Sequence, residues 1–499
     1  MNLKTRNAIY LILVLVIFIA GLAVRLYDLQ DAPLDFHPTR QLHSALMARG
    51  MYYSLTPDSA VKEAQRQLAI RQWHLEGLVE PPLLEWLVAV TYRLAGGVYL
   101  WIARLYAIGF WLLAAFGILL ISKELIGSQG SLVSVALFLF YPYSIIASRS
   151  FQPETLLVAS LVFVFWTSIK WHQQQTWKWA IAAGLVGGLA ILIKAVAVFF
   201  VAGIWLGLLF SRMKITDMIK NRQIWLIGIL CLAPYGLFML YANTFMVGYS
   251  GQFSLRFFPQ LWTQVGFYLR WVGTLRKAIG LEWLVLGLAG VWLAREKTWR
   301  WMLLGAWLGY FALGFTLSYH ISSHDYYNLP VYLMVSLGLG FLIQNAIQPS
   351  NAKLLNRWAF SFLLLFIVAI YGYEVYGTLK KTDYLQETSF WGQMGMDLGM
   401  NSKVVALSED YGYRLAYWGW LSPVNWMSMD DIRLRTESGQ GFDFRDYFES
   451  TVQDKDYFLV TQMDEWDRQP DLKNALVEKY PLIDESGRFL LFDLKHPRI

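Results

Sequence analysis

The chain has 499 residues, of which 56% are apolar, 16% aromatic and 16% charged; an average soluble domain carries about 25% charge, so an ordinary soluble enzyme is excluded. Its 23 Trp, 28 Tyr and 31 Phe exclude a disordered chain, and a single cysteine, Cys231, excludes an intramolecular disulfide and a zinc site built on cysteines. The net charge of +6 is unevenly spread: residues 378–499 hold 21 of the 36 acids and 14 of the 42 bases, leaving +13 on the first 377. That excess belongs to membrane topology, and no nucleic-acid partner is expected.

A bilayer core takes about 20 apolar residues per helix. Runs of that kind lie near 8–27, 104–122, 131–147, 155–170, 179–193, 195–210, 223–243, 281–294, 300–318, 329–346 and 357–377, about eleven spans. The first follows Lys4 and Arg6 without a small-residue cleavage site, so it reads as a retained anchor. With the N-terminus inside, the connections 123–130, 170–178, 211–222, 295–300 and 347–357 are cytoplasmic, and they are rich in Lys and Arg with few acids. The positive-inside rule then sets the orientation. The run 179–210 is broken near Lys194, because a charge is costly at mid-bilayer and cheap at an interface.

Eleven spans put four connections outside: 28–103, 148–154, 244–280 and 319–328. In the first, imperfect helical spacing from Ala45 to Tyr52 and from Val61 to Ile70, then Pro81-Pro82 and an apolar stretch, predict short helices in the interface plane. The aromatic segment 250–275, with Phe253, Phe257, Trp262, Phe267 and Trp271, has the same character. The tail 378–499 predicts a small α/β domain, with strands at 404–407, 457–460 and 489–492 and helices near 411–420 and 470–480. It has no Gly-rich phosphate loop, and the chain shows no internal repeat.

Four constellations carry chemistry. Asp31-Ala-Pro-Leu-Asp35-Phe-His37-Pro-Thr-Arg40 follows the first span. Asp35 can take a proton from a hydroxyl, and a neighbouring Arg would keep it ionised; a solvated turn explains the same spacing. Ser148-Arg149…Pro153-Glu154 sits between two spans, where Glu154 complements a helix N-terminus and Arg149 either snorkels or meets an anion. Lys194 lies inside an apolar run. Tyr319-His320…His324-Asp325-Tyr326-Tyr327 is a dense polar loop able to hold a phosphate, a sugar or a metal, or simply to form an aromatic belt. On one topology all of these fall at the outer face, where a lipid-bordered cavity suits a substrate with a phosphate head and a lipid tail.

At these residues the chain resembles the GT-C superfamily of membrane glycosyltransferases, in particular the dolichyl-phosphate-mannose protein mannosyltransferases and the lipid A aminoarabinose transferases. The likeness covers roughly 8–377. It rests on Asp35 in the first outer loop, Pro81-Pro82-Leu83 closing that loop, Ala103-Arg104-Leu105, the Ser148–Glu154 turn and Gly188–Lys194, in the family's order. Where the family commonly has a second acid after its first-loop Asp, this chain has His37, Thr39 and Arg40; its second-loop acid is Glu154 rather than Asp.

The resemblance implies a mostly α polytopic bundle, 1–377, with a soluble α/β outer-face domain, 378–499. It implies inverting transfer of a sugar from a polyprenyl-phosphate donor to a lipid, glycan or protein acceptor at the outer face of the plasma membrane. Asp35 would be the base. His37, Arg40, Arg149, Glu154, Lys194, His320, His324, Asp325 and Tyr326 would bind substrate or phosphate, and 250–275 would cradle the prenyl chain. No cofactor is assigned, and a divalent cation is left open. From the residues alone, a polytopic transporter of a small solute or lipid and a non-catalytic membrane scaffold remain alternatives.

Overall fold

The computed structural model describes residues 3–57, 61–77, 80–245, 257–347, 354–381, 383–437 and 439–498. Phe253 of the aromatic outer segment and Lys353 of a basic connection lie outside them. The chain forms two compact units: Met1–Leu29 with Leu78–Leu84 and Ala103–Thr382, and Gln30–Gly77 with Glu85–Ile102 and Asp383–Ile499. The expected boundary at 377/378 is therefore not where the units part, because most of the loop 28–103 clusters with the tail.

The first unit is helical. Among the described residues, Asn7–Leu26, Leu100–Leu125, Glu154–Gln174 and Arg222–Thr244 are long and apolar enough to cross a membrane by length and composition, and five shorter apolar helices accompany them. Each apolar run of the sequence forms a helix, although 131–147 is split at Pro142 into Ser128–Phe140 and Pro142–Ala147, as a residue preceding proline leaves the helical region. Between apolar helices, tight packing rather than water exclusion supplies the attraction, and small residues permit it. Gly203 and Gly207 of Ala197–Arg212 face Gly305 and Gly309 of Lys297–Thr316. A methyl added at Gly203 would strike the Gly305 carbonyl, and one at Gly309 the Phe199 carbonyl.

The second unit is built on a five-stranded sheet, ordered β2 (Val424–Asn425), β1 (Val404–Leu407), β3 (Tyr457–Val460), β5 (Phe489–Asp493), β4 (Leu482–Ser486). The first three strands run parallel and the rest antiparallel. β1 is buried on both faces: Val405 and Leu407 join Trp426, Phe458 and Leu476 on one side, while Val404 and Ala406 join Trp391, Leu415 and Leu459 on the other. A continuous apolar strand is what a sheet covered on both sides requires.

Twelve residues of helix Pro38–Leu55 are buried. Its anchor is Arg49, whose guanidinium donates to the Tyr417 carbonyl at 2.5 Å, the Ala416 carbonyl at 3.0 Å and Gln72 Oε1 at 2.8 Å. The same group stacks over the Tyr417 and Trp420 rings at 4.5 and 4.1 Å. Burial pulls its pKa down to about 10, which leaves it charged at neutral pH. Gln72, on helix Glu63–Leu75, donates in turn to the Ala416 and Leu421 carbonyls. At the end of that helix Glu76 Oε2 accepts from Tyr413 at 2.8 Å and lies 3.5 Å from His43 Nε2.

Two consequences are measurable. Gly305→Ala forces the two glycine-faced helices apart and costs roughly 1–3 kcal/mol, the usual range for overpacking. Gly236→Ala, with nothing within 4 Å of the added methyl, lowers the melting temperature not at all. Equal melting of both variants would show that the close approach is not needed. In the second unit, burial pushes the Glu76 carboxyl up from 4.5 to about 7, against the Tyr413 hydrogen bond. A raised acid pKa means the folded state holds the proton more tightly, so its contribution is full below pH 4.5 and is lost as pH rises to about 7. The expected loss is about 3 kcal/mol, visible as a melting temperature that falls over this range in the wild type and stays level in Glu76→Gln.

Candidate functional site

The residues singled out in the sequence divide between the units. Asp35, His37 and Arg40 belong to the second unit; Arg149, Glu154, Lys194, His320, His324, Asp325 and Tyr326 belong to the first.

In the first unit, the centre is Lys194. It caps helix Trp177–Ile193 in an extended conformation, and the next helix starts at Ala197, so the ammonium sits in the break between two apolar helices. Its Nζ lies 2.6 Å from Glu154 Oε1 and 3.7 Å from Glu80 Oε1, with the lysine and Glu154 side chains 5% and 3% exposed. The Tyr327 and Tyr326 rings stand over it at 4.5 and 5.1 Å. Glu154 opens helix Glu154–Gln174 behind Pro153, where the helix dipole favours a carboxylate; its Oε2 has no hydrogen-bond partner among the described residues.

Arg149 is buried and donates to the Asp28 carbonyl at 2.7 Å, as Arg104 does at 3.3 Å. Asp28 adopts a left-handed conformation just past the first helix, φ 51°, which turns its carbonyl toward both guanidinium groups. Arg25 completes this end, donating to Ser148 Oγ and to the Gly21 and Leu139 carbonyls at 2.6–2.8 Å. These three arginines converge on the end of the first helix.

The segment expected as a loop at 319–328 is helical: Ser318–Ser323 is an α-turn and Asp325–Asn328 a 3-10 turn. One turn apart, His320 and His324 stack at 5.5 Å, and His324 Nδ1 is 2.8 Å from Ser323 Oγ. Among the described residues no group of three or more His, Cys, Asp or Glu is placed to hold a metal ion, so the donors for a bound divalent cation are not assembled there. Asp325 is buried; its Oδ1 accepts from Tyr143 at 2.7 Å and its Oδ2 meets Lys277 at 2.5 Å.

Lys277 belongs to a feature the sequence reading passed over. Helix Val265–Ile279 carries Arg270, Gly273 and Lys277 along one exposed strip, with Arg276 beside Lys277 and exposed Leu269 and Val272 alongside. Among the described residues Arg270 and Arg276 have no ion-pair partner. With Asp325 counted, the strip is net +2, whereas Lys194 with Glu154 and Glu80 is net −1. A phosphate is therefore attracted to the strip more than to Lys194. The spacing of seven between Arg270 and Lys277 was the signal that could have shown it.

In the second unit, Asp35 precedes helix Pro38–Leu55, capped by His37 in a left-handed conformation, φ 45°. Gln41 Nε2 folds back on the loop, donating to the Phe36 carbonyl at 2.7 Å, the Pro33 carbonyl at 3.2 Å and Asp35 Oδ1 at 3.4 Å.

Residues 79–241 match the family model of dolichyl-phosphate-mannose-protein mannosyltransferase. No curated protein matches the chain by sequence. Among solved structures, ArnT from Cupriavidus metallidurans bound to undecaprenyl phosphate is 16% identical, with 99% of this chain and 98% of that chain covered and a TM-score of 0.59. The archaeal oligosaccharyltransferase AglB from Archaeoglobus fulgidus, in complex with an inhibitory peptide and a dolichol-phosphate, is 12% identical over 97% of this chain and 74% of that one, with a TM-score of 0.56. At these identities the likeness is one of fold. The chain has a mostly helical, polytopic membrane fold like that of the GT-C transferases, with a small C-terminal sheet.

Proposed function

We propose that the protein is a glycosyltransferase that moves a sugar from a polyprenyl-phosphate-linked donor to an acceptor hydroxyl at the outer face of the plasma membrane. The observation that carries this reading is the exposed strip of Arg270, Arg276 and Lys277 beside Leu269 and Val272, a cationic row along an apolar one. A phosphate head and an isoprenoid tail have that same division. The fold it shares along its length with ArnT, whose structure holds undecaprenyl phosphate, supports the donor class.

In this reading eleven helices cross the bilayer, the N-terminus is cytoplasmic, and residues 378–499 stand outside, in keeping with the basic connections. Residues 1–377 supply the membrane part of the reaction, and the tail bears on the acceptor. The Asp35 carboxylate takes the proton of the acceptor hydroxyl as its oxygen attacks the anomeric carbon. The bond from that carbon to the phosphate oxygen breaks, and its electron pair leaves with the phosphate, so one displacement inverts the centre. Arg270 and Lys277 hold the phosphate head of the donor by charge. His320 and His324 add N–H donors, and Arg40 and His37 bracket the base. Lys194 and Arg149 hold the surrounding helices, while the open Glu154 Oε2 accepts from a sugar hydroxyl.

The test is transfer by membranes or nanodiscs given a panel of labelled undecaprenyl-phosphate-linked sugars. Asp35→Asn is expected to lower transfer roughly a hundredfold or more, the usual worth of a positioned base, with the protein still folded. Equal transfer by both proteins removes Asp35 as base; passage of solute across the bilayer with the donor intact would favour a transporter.

A further inference from the structure

The second unit holds the Asp35 loop from two sides, and both grips come from the tail. At its start, Asp31 Oδ1 accepts from its neighbour Ala32 N at 2.8 Å and from Tyr384 N at 3.3 Å. At its end, Thr39 Oγ1, in the first turn of helix Pro38–Leu55, donates to Asp410 Oδ1 at 3.1 Å. The other oxygen of Asp410 accepts from Arg414 Nε at 2.6 Å, and Arg414 reaches on to Glu387 at 3.0 Å. Asp410 is thus a carboxylate pinned on one side by a cation and offered on the other to a single hydroxyl.

The backbone at this point is costly. Asp410, Tyr411 and Gly412 are all left-handed, φ 53°, 56° and 79°. Two of the three are not glycine, and such conformations persist only where the surroundings fix them. The turn directs the Asp410 side chain to Thr39 and the Tyr413 hydroxyl to Glu76, so one strained corner meets helix Pro38–Leu55 and the end of helix Glu63–Leu75. Farther along, the Ala416 and Tyr417 carbonyls take Arg49. The helix that follows Asp35 is therefore splinted along its length by residues 410–417.

We infer that the tail segment Asp410–Arg414 is a positioning element for Asp35. The Thr39–Asp410–Arg414 chain fixes the start of helix Pro38–Leu55, and Gln41, one turn inside that helix, carries the constraint to the Pro33 and Phe36 carbonyls and to Asp35 itself. This rests on Asp35 acting as the base. The tail is then a working part of the transfer step, and its loss acts on turnover before it acts on donor binding.

The experiment uses the full chain in nanodiscs, with Thr39→Val, Thr39→Ser and Asp410→Asn. Two readouts are taken: kcat and KM with whichever undecaprenyl-phosphate-linked sugar the wild type turns over, and hydrogen–deuterium exchange at 31–41, with β1 reporting that the tail is folded. A hydrogen bond to a charged group is worth about a tenfold effect, so Thr39→Val and Asp410→Asn should lower kcat by about that factor. KM should stay within about twofold, exchange at 31–41 should rise, and Thr39→Ser should restore both. Unchanged exchange at 31–41 overturns the clamp. Faster exchange with kcat unchanged, or a change in KM alone, overturns its part in turnover. If Asp35→Asn keeps full transfer while exchange at 31–41 still rises in Thr39→Val, the base assignment falls and the clamp stands.

Discussion

An ammonium group buried between apolar helices must be matched by a carboxylate, because stripping water from either ion alone costs several kcal/mol. Lys194 meets that demand with Glu154 at 2.6 Å and Glu80 at 3.7 Å. Three distant stretches of chain are brought to one point by it: the Pro81-Pro82 turn, the start of helix Glu154–Gln174 and the break before Ala197. The Tyr326 and Tyr327 rings add a fourth. Removing one partner would leave an unmatched charge in low dielectric, so these stretches hold together or come apart together. The same constraint separates structural charge from working charge. Ions that balance one another inside the helical unit have little left for a ligand, while on the exposed strip Arg270, Arg276 and Lys277 together face the one acid Asp325.

The second unit solves a related problem with Arg49. A guanidinium that reaches two carbonyls, one amide oxygen and two aromatic faces is stabilised without a carboxylate, since its planar fork can be met by neutral acceptors and rings. This explains why most of the loop 28–103 and the tail form one body although the whole stretch 103–382 lies between them in the chain. The strained corner at Asp410–Gly412 belongs to the same interface, and its placement beside the Asp35 loop gives the tail a mechanical part in the chemistry.

Much of the fold was written in local pattern. Apolar runs marked the helices of the first unit, and Val404–Leu407, Tyr457–Val460 and Phe489–Phe492 marked three of five strands, because each is apolar enough to be buried on its own evidence. β2 has two residues and β4 is exposed throughout, so neither leaves such a mark. The turn at Ser318–Ser323 is polar and short, and its helical state comes from neighbours rather than propensity. Nothing local to Arg49 and Gln72 tells of the carbonyls that receive them. Lys194 and Glu154 were legible as candidates, but their pairing was not, because it is made by tertiary packing. The strip on Val265–Ile279 was legible in its spacing and was masked by the aromatics around it.

The central claim is that the exposed cations beside an apolar row receive a phosphate-headed isoprenoid. Native mass spectrometry of the protein released from nanodiscs, after loading with undecaprenyl phosphate or with undecaprenol, tests it without knowledge of sugar or acceptor. The account predicts that the phosphate lipid is retained, the alcohol is not, and the doubly substituted Arg270→Gln, Lys277→Gln protein loses the phosphate lipid. Equal retention of both lipids, or full retention by the doubly substituted protein, would contradict it.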